Sequence, residues 1–453
     1  MEIYDIIEAV AATSSKNEKV AILTEHKDSS LLRLVLMKAL DPNINYWIKK
    51  IPQYTKSDGP IYSIMEGLGQ IQYISSRKIT GDDAIDLLVN VLSRLDEKDA
   101  EILKRVILRD LRAGFAASTV NKVWKGLIPE TPYCRCSLPK ELGKNGLSTW
   151  PWKNGVIAQL KADGMYAAIT HHVDSEIIIA SRSGSIFDNK LFQPIFIEEL
   201  TKAIPLGKQF QGEFLIRVND KHLIREESNG FMNSLLKGTE LPSGHFLEYH
   251  AWDVIDIVDA VPGGKVSTPY IDRFQDLRTC LTYCDDGEIK DLYTYVKPIE
   301  FQFVKSYDEA LEYYSEVLSR GLEGLVLKHP DFLWADTTSR QQVKMKLTFE
   351  VELKVVGKNE GKGKYAGMLG SYQCESEDGL LKVNVAGFTD KQRKELWEDD
   401  SVSIISVTAN NLTKNGDVYS LFLPVLNEVR LDKVSADTLE RIVSIYESAI
   451  RPK

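Results

Sequence analysis

The segment Ala158–Gly164 places a lysine where it can act as a nucleophile. Lys161 follows the apolar run Val156–Leu160, which predicts a strand, and it precedes an Asp163-Gly164 turn. An amine at the end of a buried strand is partly desolvated, and neighbouring cations would further favour its neutral, nucleophilic form. An ordinary hairpin lysine at a strand end fits the same pattern. The K-x-D-G motif alone therefore leaves both interpretations open.

A series of charged and aromatic motifs follows Lys161 along the chain. In order, they are Ser181-Arg182-Ser183-Gly184, Gln211-Gly212-Glu213-Phe214, Tyr249-His250-Ala251-Trp252-Asp253, Leu322–Lys328, Val343-Lys344-Met345-Lys346 and Val429–Lys433. With K-x-D-G, this order resembles the covalent nucleotidyltransferases, and among them the ATP-dependent DNA ligases of the T-even phage type. Gln159–Gly164, Asn121–Trp124 and Gly126–Pro129 carry a close likeness, and the resemblance extends over essentially the whole chain.

The resemblance assigns the charged motifs to one reaction. Lys161 would attack the α-phosphate of ATP to form a lysyl-AMP phosphoramidate. The AMP would then pass to the 5′-phosphate of a nick in duplex DNA, where the 3′-hydroxyl would displace it. Lys344 and Lys346, alternate residues of one strand, would stabilise charge on phosphate oxygens. Glu213 and Glu323 would supply the oxygen ligands that Mg²⁺ or Mn²⁺ prefers.

Recognition of the nucleotide falls to the remaining motif residues. The resemblance places Gln159 at the adenine edge, Trp252 against the adenine ring, and Arg182 near the AMP or the 5′-phosphate of the nick. Arg430 and Lys433 match the last family motif, in which the C-terminal domain closes over ATP and orients its β- and γ-phosphates. Such a closure implies a hinge at about residues 346–350.

Several of these residues also have a structural interpretation. Glu213 and Glu323 fit ion pairs with lysines, Lys344 and Lys346 fit the exposed face of an edge strand, and Trp252 fits a core tryptophan. Their common order around one candidate nucleophile favours the catalytic interpretation.

The motif that contains Lys161 departs from the family at one position. Tyr166 stands where the family carries arginine, so it can donate one hydrogen bond but brings no charge to a phosphate. Arg182 and Arg273 are candidate replacements. The same departure motivates an alternative hypothesis, in which the chain is a catalytically inactive nucleic-acid-binding protein.

The elements around these motifs predict a multidomain α+β protein. Residues 1–130 have an all-α pattern, and the resemblance implies that they form a DNA-binding domain. Residues 131–348 predict an α+β domain of antiparallel sheets, which the resemblance identifies as an adenylyltransferase domain similar to the ATP-grasp fold. Residues 349–453 alternate strands with glycine turns, which indicates a small C-terminal β-barrel, an OB-fold by the resemblance.

One helix is predicted directly before the Glu323 motif. Ser306 and Glu309 form a capping box at its start, and Gly321 is its C-terminal stop. The strand Leu322–Leu327 must then begin at a defined place, with Glu323 at its start.

The helical domain carries a candidate DNA-binding surface. Arg105, Arg109 and Arg112 recur at helical spacing beside an apolar stripe, and Lys122 and Lys125 follow. Such a face is either simply solvated or lays its arginines along a phosphate backbone.

Composition limits the class of protein. The 453 residues, 43% of them hydrophobic, predict sizeable cores, and a net charge of −9 argues against a chain that is basic throughout. No apolar run is long enough to span a membrane, and the acidic start Met1–Asp5 differs from a signal peptide. Five cysteines without zinc-site spacing indicate free thiols in a reducing compartment. We expect a monomer in the cytoplasm, the host cytoplasm if the chain is phage-encoded.

A related activity remains an alternative. An RNA ligase or an mRNA capping-type nucleotidyltransferase would use the same covalent lysine. The arginine-rich first domain favours duplex DNA, and the choice between ATP and GTP separates ligation from capping.

Overall fold

The structure is a computed structural model that describes residues 2–59, 61–143, 146–415 and 418–450. The chain divides into two compact units. The first comprises Met1–Pro132, Ala167–Ile169 and Ile178–Asn189, and the second comprises Tyr133–Tyr166, Thr170–Ile177 and Lys190–Lys453.

The chain is helical up to residue 123, and strands outnumber helices after residue 135. The α-helices are α1 Ile3–Ala11, α2 Lys16–Glu25, α3 Ser30–Leu40, α4 Ile64–Gln70, α5 Gln72–Ser75, α6 Gly81–Ser93, α7 Glu97–Ile107, α8 Ala117–Val123, α9 Pro194–Ala203, α10 Arg225–Leu235, α11 Tyr270–Leu281, α12 Tyr307–Ser319, α13 Asp390–Glu398 and α14 Leu439–Ile450. The strands up to residue 304 are β1 Arg135–Ser137, β2 Val156–Leu160, β3 Met165–His171, β4 Ile177–Ser181, β5 Ile186–Phe187, β6 Lys208–Val218, β7 Lys221–His222, β8 His245–Asp256, β9 Thr282–Asp285, β10 Glu288–Asp291, β11 Val296–Pro298 and β12 Phe301–Val304. The later strands are β13 Gly324–Lys328, β14 Thr338–Lys346, β15 Phe349–Glu360, β16 Leu369–Glu375, β17 Lys382–Val385, β18 Ile404–Ala409, β19 Asn411–Asn415, β20 Val418–Phe422 and β21 Val425–Val429.

The first unit packs α1–α8 around one apolar core. Its fully buried members include Ile7, Val10, Leu36, Leu88 and Leu103, and several helices contribute to them. No described helix combines the length and apolar character that crossing a bilayer requires.

The central sheet of the second unit determines where the predicted catalytic lysine lies. Its strand order is β1-β14-β13-β2-β12, and all neighbours are antiparallel except β1 and β14, which are parallel. Helix α12 packs on this sheet through residues such as Val317, against Val156 and Leu325. The Ser306 hydroxyl accepts a hydrogen bond from the Glu309 backbone N–H at 3.1 Å, and Gly321 follows the helix at φ +77°. The predicted helix and its stop are confirmed, but only half of the capping box forms, because the Glu309 carboxylate accepts from the Lys305 backbone N–H at 2.7 Å instead of from that of Ser306.

A second sheet of this unit contains the strand order β11-β8-β6, with β7 paired to β6. Strands β6 and β8 form a long antiparallel pair, and β11 joins β8 in parallel. The region predicted to be an adenylyltransferase domain of antiparallel sheets is therefore mostly but not wholly antiparallel. Strands β4 and β5, which lie largely in the first unit, pair with each other through Ile179 and Phe187.

The C-terminal region is a five-stranded antiparallel sheet in the order β17-β16-β15-β18-β21. An isolated bridge, Ala386 to Val425, connects the end of β17 with the start of β21. Between β17 and β21, the predicted barrel is thus joined by this single bridge. The described residues form no continuous ladder of hydrogen bonds there. Helix α14 packs through Tyr446 on both this region's core and the core of the central sheet.

Candidate active site

Three strand ends meet at the predicted nucleophile. Leu160 pairs with Leu325, and Gly324 pairs with Lys346, so the ends of β2, β13 and β14 lie side by side. The Lys161 backbone N–H donates to the Gly324 carbonyl at 2.8 Å and continues this ladder by one residue. Strand register therefore brings together groups that are up to 185 positions apart in sequence.

Two glycines allow the close approach at this junction. Gly324 has φ +141°, and a Cβ there would lie 2.2 Å from the Met345 carbonyl oxygen. A Cβ on Gly164 would lie 2.1 Å from the Phe214 carbonyl oxygen. Any side chain at either position would push the strands apart, because real Cβ contacts are never this short. Glycine at both positions keeps the Lys161 turn against β6 and β13.

The Lys161 ammonium forms an ion pair with the Glu323 carboxylate, and each side chain is 24% exposed. The nearest charged group is thus an anion, whereas the sequence led us to expect cations. Cations also lie close by: burial lowers the pKa of Lys346, Glu323 opposes this shift, and Lys344 and Lys161 add to it. Lys161 therefore has Glu323 as its carboxylate partner, and Lys346 lies close enough to interact with it electrostatically.

The carboxyl groups at the junction repel one another. Burial raises the pKa of Glu213 to about 8, with Lys161 opposing the shift and Glu323 adding to it. Burial and Glu323 also raise the pKa of Asp163, while Arg225 opposes the rise. The Arg225 guanidinium lies 3.4 Å from the Asp163 carboxylate. Crowded carboxyl groups of this kind become more stable when a cation is bound beside them.

The donor set fits a nucleoside triphosphate with a hard divalent cation. Lysine ammonium groups and a guanidinium suit phosphate oxygens, whereas carboxylates suit Mg²⁺ or Mn²⁺. Next to these groups lies a cleft of about 210 Å³, lined in part by Asp163, Arg225, Glu323, Lys346, Asn410 and Tyr446. Lys346 Nζ donates to Asn410 Oδ1 at 3.0 Å, so the C-terminal region forms part of this wall.

A hydrogen-bonded chain lies at the other predicted nucleotide contacts. Gln159 is 1% exposed and donates through Nε2 to the Tyr270 hydroxyl at 2.7 Å. That hydroxyl donates to the Trp252 carbonyl at 2.5 Å, and Lys328 Nζ lies 3.1 Å from the same hydroxyl oxygen. Burial lowers the pKa of Lys328 to about 8, and Asp253 opposes this shift. The roles of Gln159 and Trp252 toward adenine remain predictions.

Tyr166 packs among aromatic rings. It is 8% exposed, and its ring lies 4.9 Å from that of Tyr133 and 5.9 Å from that of Trp252. The position that carries arginine in the family therefore supports the half-buried Trp252. Arg273, one candidate replacement, is committed elsewhere, because Nε and Nη2 donate to the two Asp253 carboxylate oxygens at 2.8 and 2.9 Å. Arg182 lies exposed in the turn between β4 and β5, within the first unit.

Arg430 and Lys433 are held inside the C-terminal region. Arg430 forms ion pairs with Glu352 and with Asp432, the latter at 2.7 Å. Lys433 Nζ lies 3.2 Å from Glu352 as well. Among the ion pairs of the described residues, none joins either cation to Lys161 or Glu323. Their predicted role toward ATP would require these pairs to exchange.

The arginines of the helical domain do not form the predicted stripe. Helix α7 ends at Ile107, and Arg109 and Arg112 follow it with φ +57° and +55°, so the helical spacing does not extend to them. Arg105 is 7% exposed and pairs with Glu8 at 2.6 Å and Glu101 at 3.1 Å.

Arg109 also turns toward the protein. Its guanidinium donates to the backbone carbonyls of Ile44 at 2.5 Å and Asp41 at 2.8 Å. Arg105 and Arg109 thus hold the first unit together. Arg112, Lys122 and Lys125 are exposed and remain candidates for contact with phosphates.

The sequence-based site omitted several residues that the structure brings into it. Asp163 belongs to the K-x-D-G motif, but it was interpreted only as a turn residue. Lys328 is the last residue of the Leu322–Lys328 motif, so its place in that motif could have identified it as a site residue. Arg225 and Asn410 stand in segments without a recognisable pattern, so only the tertiary structure identifies them.

Two families of known domains match this chain. Residues 151–346 match the family described as "ATP dependent DNA ligase domain", and residues 360–419 match "DNA ligase OB-like domain". The first match contains Lys161, Glu213, Glu323 and both lysines of β14.

Similar proteins are found over almost the full length. The DNA ligases of Enterobacteria phages T6 and T4 are each 30% identical over 97% of this chain and 98% of their own length. A solved structure named "Pmar-Lig_PreS3" has a TM-score of 0.72 and 21% identity, and it covers 95% of this chain and 99% of its own. That likeness supports the fold.

Proposed function

This chain belongs to the ATP-dependent DNA ligases, and on that premise we propose that Lys161 is the nucleophile that carries AMP. The observation that supports this role is the ion pair between Lys161 and Glu323 at the junction of β2, β13 and β14. There the amine is one-quarter exposed, lies beside the candidate metal ligand Glu323, and interacts electrostatically with Lys346, a cation suited to phosphates.

In the first step, the Lys161 ammonium gives up a proton, and its Nζ then forms a bond to the α-phosphorus of ATP. The bond between this phosphorus and the bridging oxygen breaks, so pyrophosphate leaves with the electron pair. Glu323 orients the amine and is placed to accept its proton. Lys344 and Lys346 stabilise the negative charge that develops on the phosphate oxygens. Arg225, half exposed above Asp163, is a further cation available to the triphosphate.

Glu213 and Glu323 are the residues that would hold Mg²⁺. When bound, the ion supplies positive charge to the phosphates and lowers the repulsion between the two carboxyl groups. Burial raises the pKa of Glu213 to about 8, and Glu323 adds to this rise; the nearness of the two carboxyl groups is the feature that fits such an ion.

The later steps act on DNA. AMP passes from Lys161 to the 5′-phosphate at a nick in a duplex, and the 3′-hydroxyl then displaces AMP and joins the strand. Exposed Arg112, Lys122 and Lys125 would contact phosphates, which makes binding salt-dependent and largely independent of sequence. Arg182 would serve the AMP or the nick. We place this activity in the cytoplasm and assign it to a monomer.

The test is labelling of the full-length chain with α-³²P-ATP and Mg²⁺, followed by a denaturing gel. We expect an acid-labile label on the wild type and on Lys153→Ala, an exposed control, but none on Lys161→Ala. Label on Lys161→Ala at the wild-type level would refute the assignment of the nucleophile.

The substrate is tested separately. Nicked DNA and nicked RNA duplexes of one sequence are compared as substrates of the pre-labelled chain. Joining of DNA alone supports the proposal. Preference for the RNA nick, or labelling by GTP rather than ATP, would support the RNA ligase or capping alternative.

A further inference from the structure

A second cluster of chemically capable side chains lies apart from Lys161. We define the His–Glu–His cluster as His222 of β7 with Glu248 and His250 of β8. His222 Nε2 lies 2.8 Å and His250 Nε2 lies 3.0 Å from the same carboxylate oxygen, Glu248 Oε2. The three potential ligand atoms all lie within 4.8 Å of one another.

This spacing is close to that of a metal site. Zn²⁺ binds imidazole nitrogen and carboxylate oxygen at about 2.0–2.1 Å, so tetrahedral ligand atoms lie about 3.3 Å apart. The two nitrogen–oxygen separations of 2.8 and 3.0 Å would need to widen by a few tenths of an ångström, and the two imidazole nitrogens, which lie within 4.8 Å of each other, would settle at the same spacing. Two nitrogens and one carboxylate also form a ligand set typical of zinc and other transition metals rather than of Mg²⁺.

Neighbouring cations orient the Glu248 carboxylate, as hydrogen-bond partners commonly do for the ligands of a bound metal. Glu248 Oε1 accepts from Arg217 Nε at 2.6 Å and lies 3.3 Å from Lys297 Nζ, which leaves Oε2 directed at both imidazoles. Glu248 is 1% exposed at its side chain and His250 11%, so both are held firmly. His222 is 32% exposed, which provides an entry path and room for water as a fourth ligand.

We propose that the His–Glu–His cluster binds one divalent transition-metal ion of the Zn²⁺ class. The ion would connect the short strand β7, which pairs with β6, to the buried strand β8. It would therefore hold this hairpin in place rather than take part in the chemistry at Lys161. The two cations on Oε1 work against a dication, and the partly exposed Lys297 can turn outward to relieve this repulsion.

The test uses Co²⁺ as the probe, because four-coordinate Co²⁺ absorbs visible light far more strongly than the hydrated ion. Chelator-treated, full-length protein is titrated with Co²⁺ alone, and the bound ion is then displaced with Zn²⁺. We expect about one equivalent with strong visible bands that Zn²⁺ removes. His222→Ala should weaken binding at least tenfold, as should His250→Gln.

His172→Ala is the matched control, because His172 is also a part-exposed histidine beside one carboxylate, Asp174, at 2.9 Å. It should bind Co²⁺ like the wild type, and so should Glu323→Gln, which alters the Lys161 site. Circular dichroism establishes that each variant is folded. Absence of the bands in the wild type, or binding by folded His222→Ala and His250→Gln within twofold of wild type, would overturn the proposal.

Discussion

The Lys161 junction and the helical first unit use buried cations in opposite ways. At the junction, Lys161 has one carboxylate partner, Glu323. At the other end of β13, the buried Lys328 contacts the Tyr270 hydroxyl and the Trp252 backbone carbonyl. In the helical unit, the buried Arg105 has two carboxylate partners, Glu8 and Glu101. The first arrangement leaves charge incompletely balanced, whereas the second neutralises it.

This difference shows which charged residues are available for chemistry. A cation with two carboxylates and little exposure stabilises the fold, since moving it would leave a buried charge uncompensated. A cation with shifted pKa values around it and partial exposure is a candidate for a functional site. Cationic side chains are thus candidates for function at the junction and contribute to stability in the helical unit.

The largest expected effect is that of Glu323→Gln. The amide cannot pair with the Lys161 ammonium or bind Mg²⁺ well, so self-adenylylation should slow about 1000-fold, or about 4 kcal/mol. Single-turnover labelling with α-³²P-ATP measures it. Glu316→Gln on α12, which lies 3.6 Å from Arg320, is the control and should label normally. A wild-type rate of self-adenylylation in Glu323→Gln would contradict the functional role of the ion pair at the junction.

The buried Lys328, at the far end of β13 from the junction, should give the fold a pH dependence of stability. Its pKa is about 8 in the fold, where burial is the main cause, against 10.5 as the ordinary value. Between these two values the unfolded chain binds more protons, so stability rises with pH, by up to about 3 kcal/mol in total. Denaturant unfolding at several pH values should show this rise in the wild type but not in Lys328→Met. Lys153→Met should retain the wild-type profile, and a parallel profile for Lys328→Met would contradict the prediction.

In the helical unit, Arg105→Ala should act on stability and leave self-adenylylation unchanged. Loss of the guanidinium removes a partner of Glu8 and one of the partners of Glu101, which keeps its pairs with Lys104 and Arg112. Because both carboxylates are part-exposed, we expect a loss of about 2 kcal/mol of stability. Thermal unfolding measures it. Arg112→Ala, 56% exposed at its side chain, should change stability by less than about 0.5 kcal/mol. Unchanged stability together with lost DNA binding in Arg105→Ala would restore this residue as a DNA contact.

The smallest effect concerns Arg225, which tests whether the junction extends beyond the motifs. Its 3.4 Å pair with Asp163 is half exposed and therefore screened. Arg225→Ala should raise the KM for ATP in self-adenylylation about fivefold, because one cation near the triphosphate is lost. Exposed Arg340→Ala is the control. Equal KM values for all three proteins would confine the site to the motif residues.

Much of the fold was predictable because local patterns agreed with it. The strands at Val156–Leu160 and Phe210–Val218 and the helix that ends before Gly321 follow from apolar periodicity and capping. The prediction of an arginine stripe was wrong because α7 ends at Ile107 and Arg109 adopts a left-handed backbone conformation. Residue spacing alone does not reveal such a conformation in an arginine. The domain boundaries at 130 and 348 stay predictions.

The sequence by itself determined the order of the motifs, and with it the family chemistry and the candidate nucleophile Lys161. Only the tertiary structure decided which charge meets which partner: Lys161 with Glu323, Arg225 with Asp163, Arg430 with Glu352. The reason is physical. A motif consists of neighbouring residues, so it can be recognised in the sequence. Ion pairs instead depend on strand register and on the close approach of strands that glycines such as Gly324 permit. Both are determined by the packing of segments that are distant in sequence.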